Sequence, residues 1–261
     1  MPNQHAPAAR EFAVFLSRRA AVEALGTGFL LAAVVGSGIM AEQLAGGNVA
    51  LALVANTMAT AAALVALISA FGTVSGAHFN PAVTVASALQ GALAWRDVPA
   101  YIFGQCVGAF AGVACAHAMF AQAIVTASQH ARSGGAQVFS EFIATFGLVA
   151  IIGACSRASA PGSTPIALSV SAYIAAAYWF TASTSFANPA ATLARSATAT
   201  FSGIRVVDVS AFVVAQLLGA TVAARIMPWL LTPTTNHAAP NSSPMASEVS
   251  NASPSIESTP S

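Results

Sequence analysis

The chain has 261 residues, 56% hydrophobic and only 7% charged, with a formal net charge of +1. Soluble domains carry roughly 25% charged residues, so a fold in water could not cover its surface with this supply. Lysine is absent, and with it the dense basic patch that a nucleic-acid partner needs.

Lipid is the solvent that fits, and apolar stretches of about 20 residues, enough to cross roughly 30 Å of hydrocarbon as helix, recur along the chain. Arg10, Arg18 and Arg19 precede the first, Val22 to Ala41. No small-x-small cleavage signal ends a short apolar core there, so it is expected to be a retained helix after an N-terminal segment at 1–20. Gly46 and Gly47 break it before a second span at Val49 to Phe71. Arg96, Asp97 and Pro99 mark a surface crossing before a third at Tyr101 to Phe120. Ser128 to Gly135 leads to a fourth at Val138 to Cys155; Pro161 and Pro165 bound a fifth at Ile166 to Ser183; Asp208 precedes a sixth reaching Trp229. Residues 21–231 thus form one membrane domain, and the Pro, Ser, Thr, Asn and Ala of 232–261 predict a disordered tail.

Two apolar pieces are too short to span. Asn80 to Leu89 and Asn188 to Thr198 each give about 15 Å of helix at 1.5 Å per residue. Each opens with Asn, a side chain that accepts from first-turn amides, and then Pro, which suits the first helical position. Half-helices entering from opposite faces would meet near the membrane centre.

The two halves match. Glu23 with ALGTGFLLAAVVG answers Glu141 with FIATFGLVAIIG; HFNPAVT answers FANPAAT; the stretch around Gln105 answers that around Gln216. Three spans separate them, so their orientations are inverted, and inverted repeats with broken helices bring equivalent features together at mid-depth. With the N-terminus inside, Arg10, Arg18, Arg19, Arg96, Arg157 and Arg225 fall on the inner side and Arg132 and Arg205 outside, an asymmetry that favours cytoplasmic termini.

Irregular backbone survives in a bilayer only where protein or cavity water satisfies it. The carbonyls of Gly76, Ala77, His78, Ser185, Phe186 and Ala187 are therefore expected to form a ladder of acceptors along a narrow passage. Asn80, followed by Pro81 and Ala82, and Asn188, followed by Pro189 and Ala190, would supply donors, their amide groups directed into the pore. Cys106, Cys115 and Cys155 lack metal-ligand spacing and read as small buried side chains. No carboxylate pair, metal cluster or nucleophile with a base is visible, so neither catalysis nor a cofactor is expected.

On SGAHFNPAVT at Ser75 to Thr84 and FANPAAT at Phe186 to Thr192, with Glu23, Glu141, Gln105 and Gln216 repeated around them, the sequence resembles the major intrinsic protein family, the aquaporins and aquaglyceroporins. The resemblance covers Ala21 to Leu231. It implies an all-α membrane fold of six transmembrane helices plus two half-helices in an inverted repeat, and a homotetramer with one pore per subunit. It also implies that Glu23 and Glu141 are buried acceptors supporting the two loops. Ungapped carry-over puts the outer filter at Thr60, Ala176, Ser185 and Ala191, the last where the family usually has arginine. A filter of small residues would be wide, favouring glycerol, urea and metalloid hydroxides such as arsenous acid alongside water. Arg195, seven residues after Asn188, returns to nearly the same helix face and is either a vestibule cation or an interface arginine. Trp179, Phe180 and Phe186 are alternative sources of an aromatic wall.

A strict water channel and an ion-coupled secondary transporter are the rival readings. The paired Asn-Pro starts and the lack of an ionic relay in the spans favour a pore. The arginine asymmetry suits a bacterial inner membrane.

Overall fold

The computed structural model describes residues 5–157 and 166–232. Pro161, Pro165, the first four residues and 233–261 lie outside the described residues, as does the side chain of Arg10.

Among the described residues, six long α-helices and two short ones follow the expected order. They are α1 (His5–Leu44), α2 (Val49–Ser75), the short α3 (Pro81–Leu89), α4 (Val98–Met119), α5 (Gly135–Arg157), α6 (Ile166–Phe180), the short α7 (Pro189–Ala194) and α8 (Val206–Leu230). Helices α2, α4, α5, α8 and the Leu16–Leu44 part of α1 are long and apolar enough to cross a bilayer. Helix α6 has 15 residues and stops at Phe180, three short of the expected end. Helix α7 also ends early: after Ala194 the chain tightens into a 3₁₀ turn, Arg195–Ala197.

Packing reproduces the sequence repeat. Helix α1 lies against α4 as α5 lies against α8, α1 meets α2 as α5 meets α6, and α2 and α6 join the halves. Each short helix packs on the last helix of the other half, α3 on α8 and α7 on α4. Close approach depends on equivalent glycines. A Cβ at Gly108 of α4 would collide with the Ala24 carbonyl of α1, and one at Gly219 of α8 with the Phe142 carbonyl of α5. Without a hydrophobic force between helices in lipid, such small-residue contacts are a main source of helix association.

The basic residues gather at two ends. Arg19 and Arg96 approach Asp97 at 3.7 Å, and Arg157 donates to the Pro228 carbonyl. At the other end Arg205 pairs with Asp208 at 3.0 Å, and the same carboxylate accepts the Arg132 amide. Cys115 is exposed on α4 and Cys106 and Cys155 are half-buried, contrary to the expectation of buried thiols, because a small apolar side chain on a membrane helix can face lipid as readily as protein.

Candidate functional site: a cavity between two capped half-helices

Helices α3 and α7 begin at matching caps. Asn80 is extended (φ −158°), and its Oδ1 accepts from the Ala82 amide at 2.9 Å. Asn188 is likewise extended (φ −154°), with Oδ1 accepting from Ala190 at 3.0 Å and Ala191 at 3.2 Å. Pro81 and Pro189 take the first helical position, where a missing N–H costs nothing. Each amide then reaches across to the opposite loop: Asn80 Nδ2 donates to the Ala187 carbonyl at 2.7 Å and Asn188 Nδ2 to the Phe79 carbonyl at 2.8 Å. One hydrogen of each NH₂ is thus used between the halves, and one is left for the cavity.

The loops before the caps are held in an unusual conformation. Gly76, Ala77 and Phe79 have positive φ, and so do Thr184, Ser185 and Ala187 at the equivalent places. A non-glycine residue there costs roughly 1–3 kcal/mol. Two buried carboxylates oppose that cost. Glu23 accepts from Ser75 Oγ (2.6 Å), the His78 amide (3.0 Å), the Phe79 amide (2.7 Å) and Gln105 Nε2 (2.8 Å). Glu141 accepts from the amides of Phe186 (2.9 Å) and Ala187 (2.8 Å) and from Gln216 Nε2 (2.6 Å). Gln105 and Gln216 also reach Thr84 and Thr192, whose hydroxyls return to the Asn80 and Asn188 carbonyls.

A cavity of about 770 Å³ runs past both asparagines, lined from Arg157 and Pro228 at one end to Thr60 and Arg195 at the other. Gly76, Ala77, His78, Ser185, Phe186, Ala187 and Ala191 all line it. Among the described residues nothing donates to the carbonyls of Gly76, Ala77, His78, Ser185 or Phe186, whereas that of Ala187 is taken by Asn80. The facing wall is apolar, built from residues such as Leu31, Leu64, Leu148 and Ile174. One polar and one apolar wall suit a solute that carries hydroxyls on a carbon frame.

Ala176 is a correction. It is exposed and does not line the cavity; Tyr178 does, with its hydroxyl donating to Thr60 Oγ1 at 3.2 Å. Val170, Ile174 and Tyr178 stand four apart on one helix face, and Ala176 lies about 200° round the helix from Tyr178. The ungapped count failed because it assumed a fixed length for the loop from Phe180 to Asn188. Trp179 and Phe180 are exposed and contribute no wall.

Arg132 has no sequence signal, since it comes from an irregular loop. It is buried, donating to the carbonyls of Gly203 (2.9 Å) and Ser183 (3.1 Å). In the other half, Tyr101 Oη donates to the equivalent Ser75 carbonyl at 2.7 Å; Phe212, at the matching position, has no hydroxyl, and Arg132 does that work. Fully buried His117 bridges the Ile124 carbonyl (2.9 Å) and Thr198 Oγ1 (2.7 Å), fixing the segment after α7.

The fold and site define a helical membrane protein whose two pseudo-symmetric halves each send a capped half-helix to a shared cavity. A sequence profile of the Major intrinsic protein family matches residues 11–185 and 156–254. Aquaglyceroporin AqpS of Rhizobium meliloti (strain 1021) is 56% identical over 218 residues, 84% of this chain and 92% of that protein. Aquaglyceroporin-3 of Trypanosoma brucei brucei is 43% identical over 100 residues, 38% of this chain and 31% of that one. The X-ray structure of the aquaglyceroporin from Plasmodium falciparum shares the fold with a TM-score of 0.64 at 20% identity, over 82% of this chain and 98% of that chain. The chain belongs to the major intrinsic protein family.

Proposed function

We propose that the chain is a passive transmembrane channel for small uncharged solutes and water, which pass in single file between Asn80 and Asn188. The observation that carries this reading is the cavity of about 770 Å³ with unbonded loop carbonyls on one wall and apolar side chains on the other. Glycerol, urea and metalloid hydroxides such as arsenous acid present the oxygens such a wall accommodates. The name aquaglyceroporin, borne by two of the relatives, supports the same solute class. Small side chains at Thr60, Ser185 and Ala191 leave more room than a strict water filter has, although Tyr178 narrows one side.

The working unit is a homotetramer in a cell membrane, the inner membrane of a bacterium, with cytoplasmic N- and C-termini. The excess of arginine at the end holding Arg19, Arg96 and Arg157 supports this orientation.

Stopped-flow swelling of proteoliposomes tests the function. Flux of water, glycerol, urea and arsenous acid that stays near-linear with concentration is expected. Water flux without glycerol flux would point to a strict water channel, and saturation with ion coupling to a transporter.

A further inference from the structure

Ala191 leaves the cavity wall without the guanidinium that the family resemblance leads one to expect, yet one helical turn further on a guanidinium lines the same cavity. Arg195 is buried, its Nε donates to the Ser202 carbonyl, and its guanidinium carbon lies 3.3 Å from the centroid of the Phe186 ring. That ring is itself held edge-on by Phe212 at 5.5 Å. The guanidinium is therefore held by the ring face on one side and a carbonyl on another. A guanidinium has five N–H donors. Among the described residues only the Nε–H has a protein acceptor, and neither Nη belongs to the fully enclosed polar atoms without partners. Neither Nη is fully enclosed, and the residue lines the cavity, which leaves these donors for a solute there.

No carboxylate among the described residues forms an ion pair with this guanidinium. The ion pairs among the described residues join Arg19 and Arg96 to Asp97 and Arg205 to Asp208. Glu141, whose oxygens accept from Phe186, Ala187 and Gln216, attracts the guanidinium only through space. A second guanidinium, that of Arg132, lies 4.8 Å from the same Phe186 ring. Polar groups complete the end of the cavity: the Thr60 and Tyr178 hydroxyls are joined to each other, and Ser185 Oγ is buried there with no partner.

We propose that Arg195 sets specificity at this end of the cavity. With the Thr60 and Tyr178 hydroxyls and the Ser185 carbonyl it forms a subsite that hydrogen-bonds uncharged, hydroxylated solutes and turns cations away, in place of the guanidinium absent at position 191. The rigid fork donates to solute oxygens, while its charge, in no ion pair among the described residues and joined by that of Arg132 beside the same ring, opposes any cation. The inference rests on the channel reading and adds a residue and a solute chemistry to it.

The test uses the full chain in proteoliposomes, with glycerol and water permeability measured by swelling and sodium leak by an internal dye. Arg195→Ala is expected to raise sodium leak about tenfold and to lower the glycerol-to-water permeability ratio about threefold. Arg195→Lys keeps the charge but not the fork, so its leak stays low while the ratio falls. The Ala191→Arg/Arg195→Ala double variant is expected to regain cation exclusion. Leak and ratio both within about twofold of wild type in Arg195→Ala would overturn the proposal. If that variant does not assemble, Arg195→Lys decides: a lowered ratio supports the proposal and an unchanged one overturns it. Failure of both to assemble would assign Arg195 to loop support alone and also overturn it. Wild-type vesicles that swell no faster than empty ones would instead overturn the channel reading itself.

Discussion

The Tyr178 hydroxyl donates to Thr60 Oγ1 at 3.2 Å, linking α6 to α2 at the end of the cavity that Arg195 lines. Tyr178→Ala removes one of the aromatic side chains there, leaving Phe186, and is expected to raise the flux of five- and six-carbon polyols more than that of water. Tyr178→Phe keeps the wall and loses one hydrogen bond, worth about 1 kcal/mol. Its solute ranking should stay close to wild type. Swelling assays over a polyol series separate size from hydrogen bonding at this position.

The exchange between the two asparagines and the opposite carbonyls makes a second prediction. Asn80→Asp keeps the acceptor for the Ala82 amide but replaces the donor facing the Ala187 carbonyl with a second oxygen. Two acceptors then oppose each other and a negative charge enters the cavity. Cation leak is expected to rise and glycerol flux to fall. Asn80→Leu loses the cap as well, at about 1 kcal/mol, and with Asn188→Leu should abolish flux. Unchanged glycerol flux in the double Leu variant would remove both residues from the pathway.

Glu141 is the acceptor for three donors. Glu141→Ala leaves the Phe186 and Ala187 amides buried and unpaired, at about 1–3 kcal/mol each, and leaves Gln216 Nε2 with Thr192 Oγ1 alone. It is expected to lower the unfolding temperature in detergent sharply and to abolish flux. Glu141→Gln retains one acceptor oxygen, so it should fall between wild type and Ala. A Glu141→Ala protein as stable as wild type would show that the loop before Asn188 is held by other contacts.

Repetition explains what the sequence discloses and what it hides. Glu23 and Glu141, Gln105 and Gln216, and Asn80 and Asn188 occur in matching contexts, and in each half they meet through hydrogen bonds along equivalent elements. Asn-Pro is a local signal for a helix start, so α3 and α7 are legible without any tertiary information. Tyr178 is not found by counting back from Asn188, because the intervening loop has no fixed length. The stripe of Val170, Ile174 and Tyr178 would have found it. Arg132 reaches the site from a loop without periodicity, and its part in the second half is done in the first by the hydroxyl of Tyr101.

Gly108 and Gly219 hold equivalent places in the contacts α1·α4 and α5·α8, and each faces a backbone carbonyl that cannot rotate away. In an open helix interior Gly→Ala gains about 1 kcal/mol from propensity. Here the added methyl must push two helices apart, and the lost packing is not returned by lipid. Gly108→Ala and Gly219→Ala are therefore expected to lower the unfolding temperature in detergent and the yield of assembled protein. Gly36→Ala is the control: its Cβ would meet only the Phe120 ring at 3.5 Å, an ordinary contact, and the helix should be as stable as before or more so. If all three variants behaved alike, close approach at the glycines would not be what holds the helix pairs, and the apolar contacts alone would have to suffice.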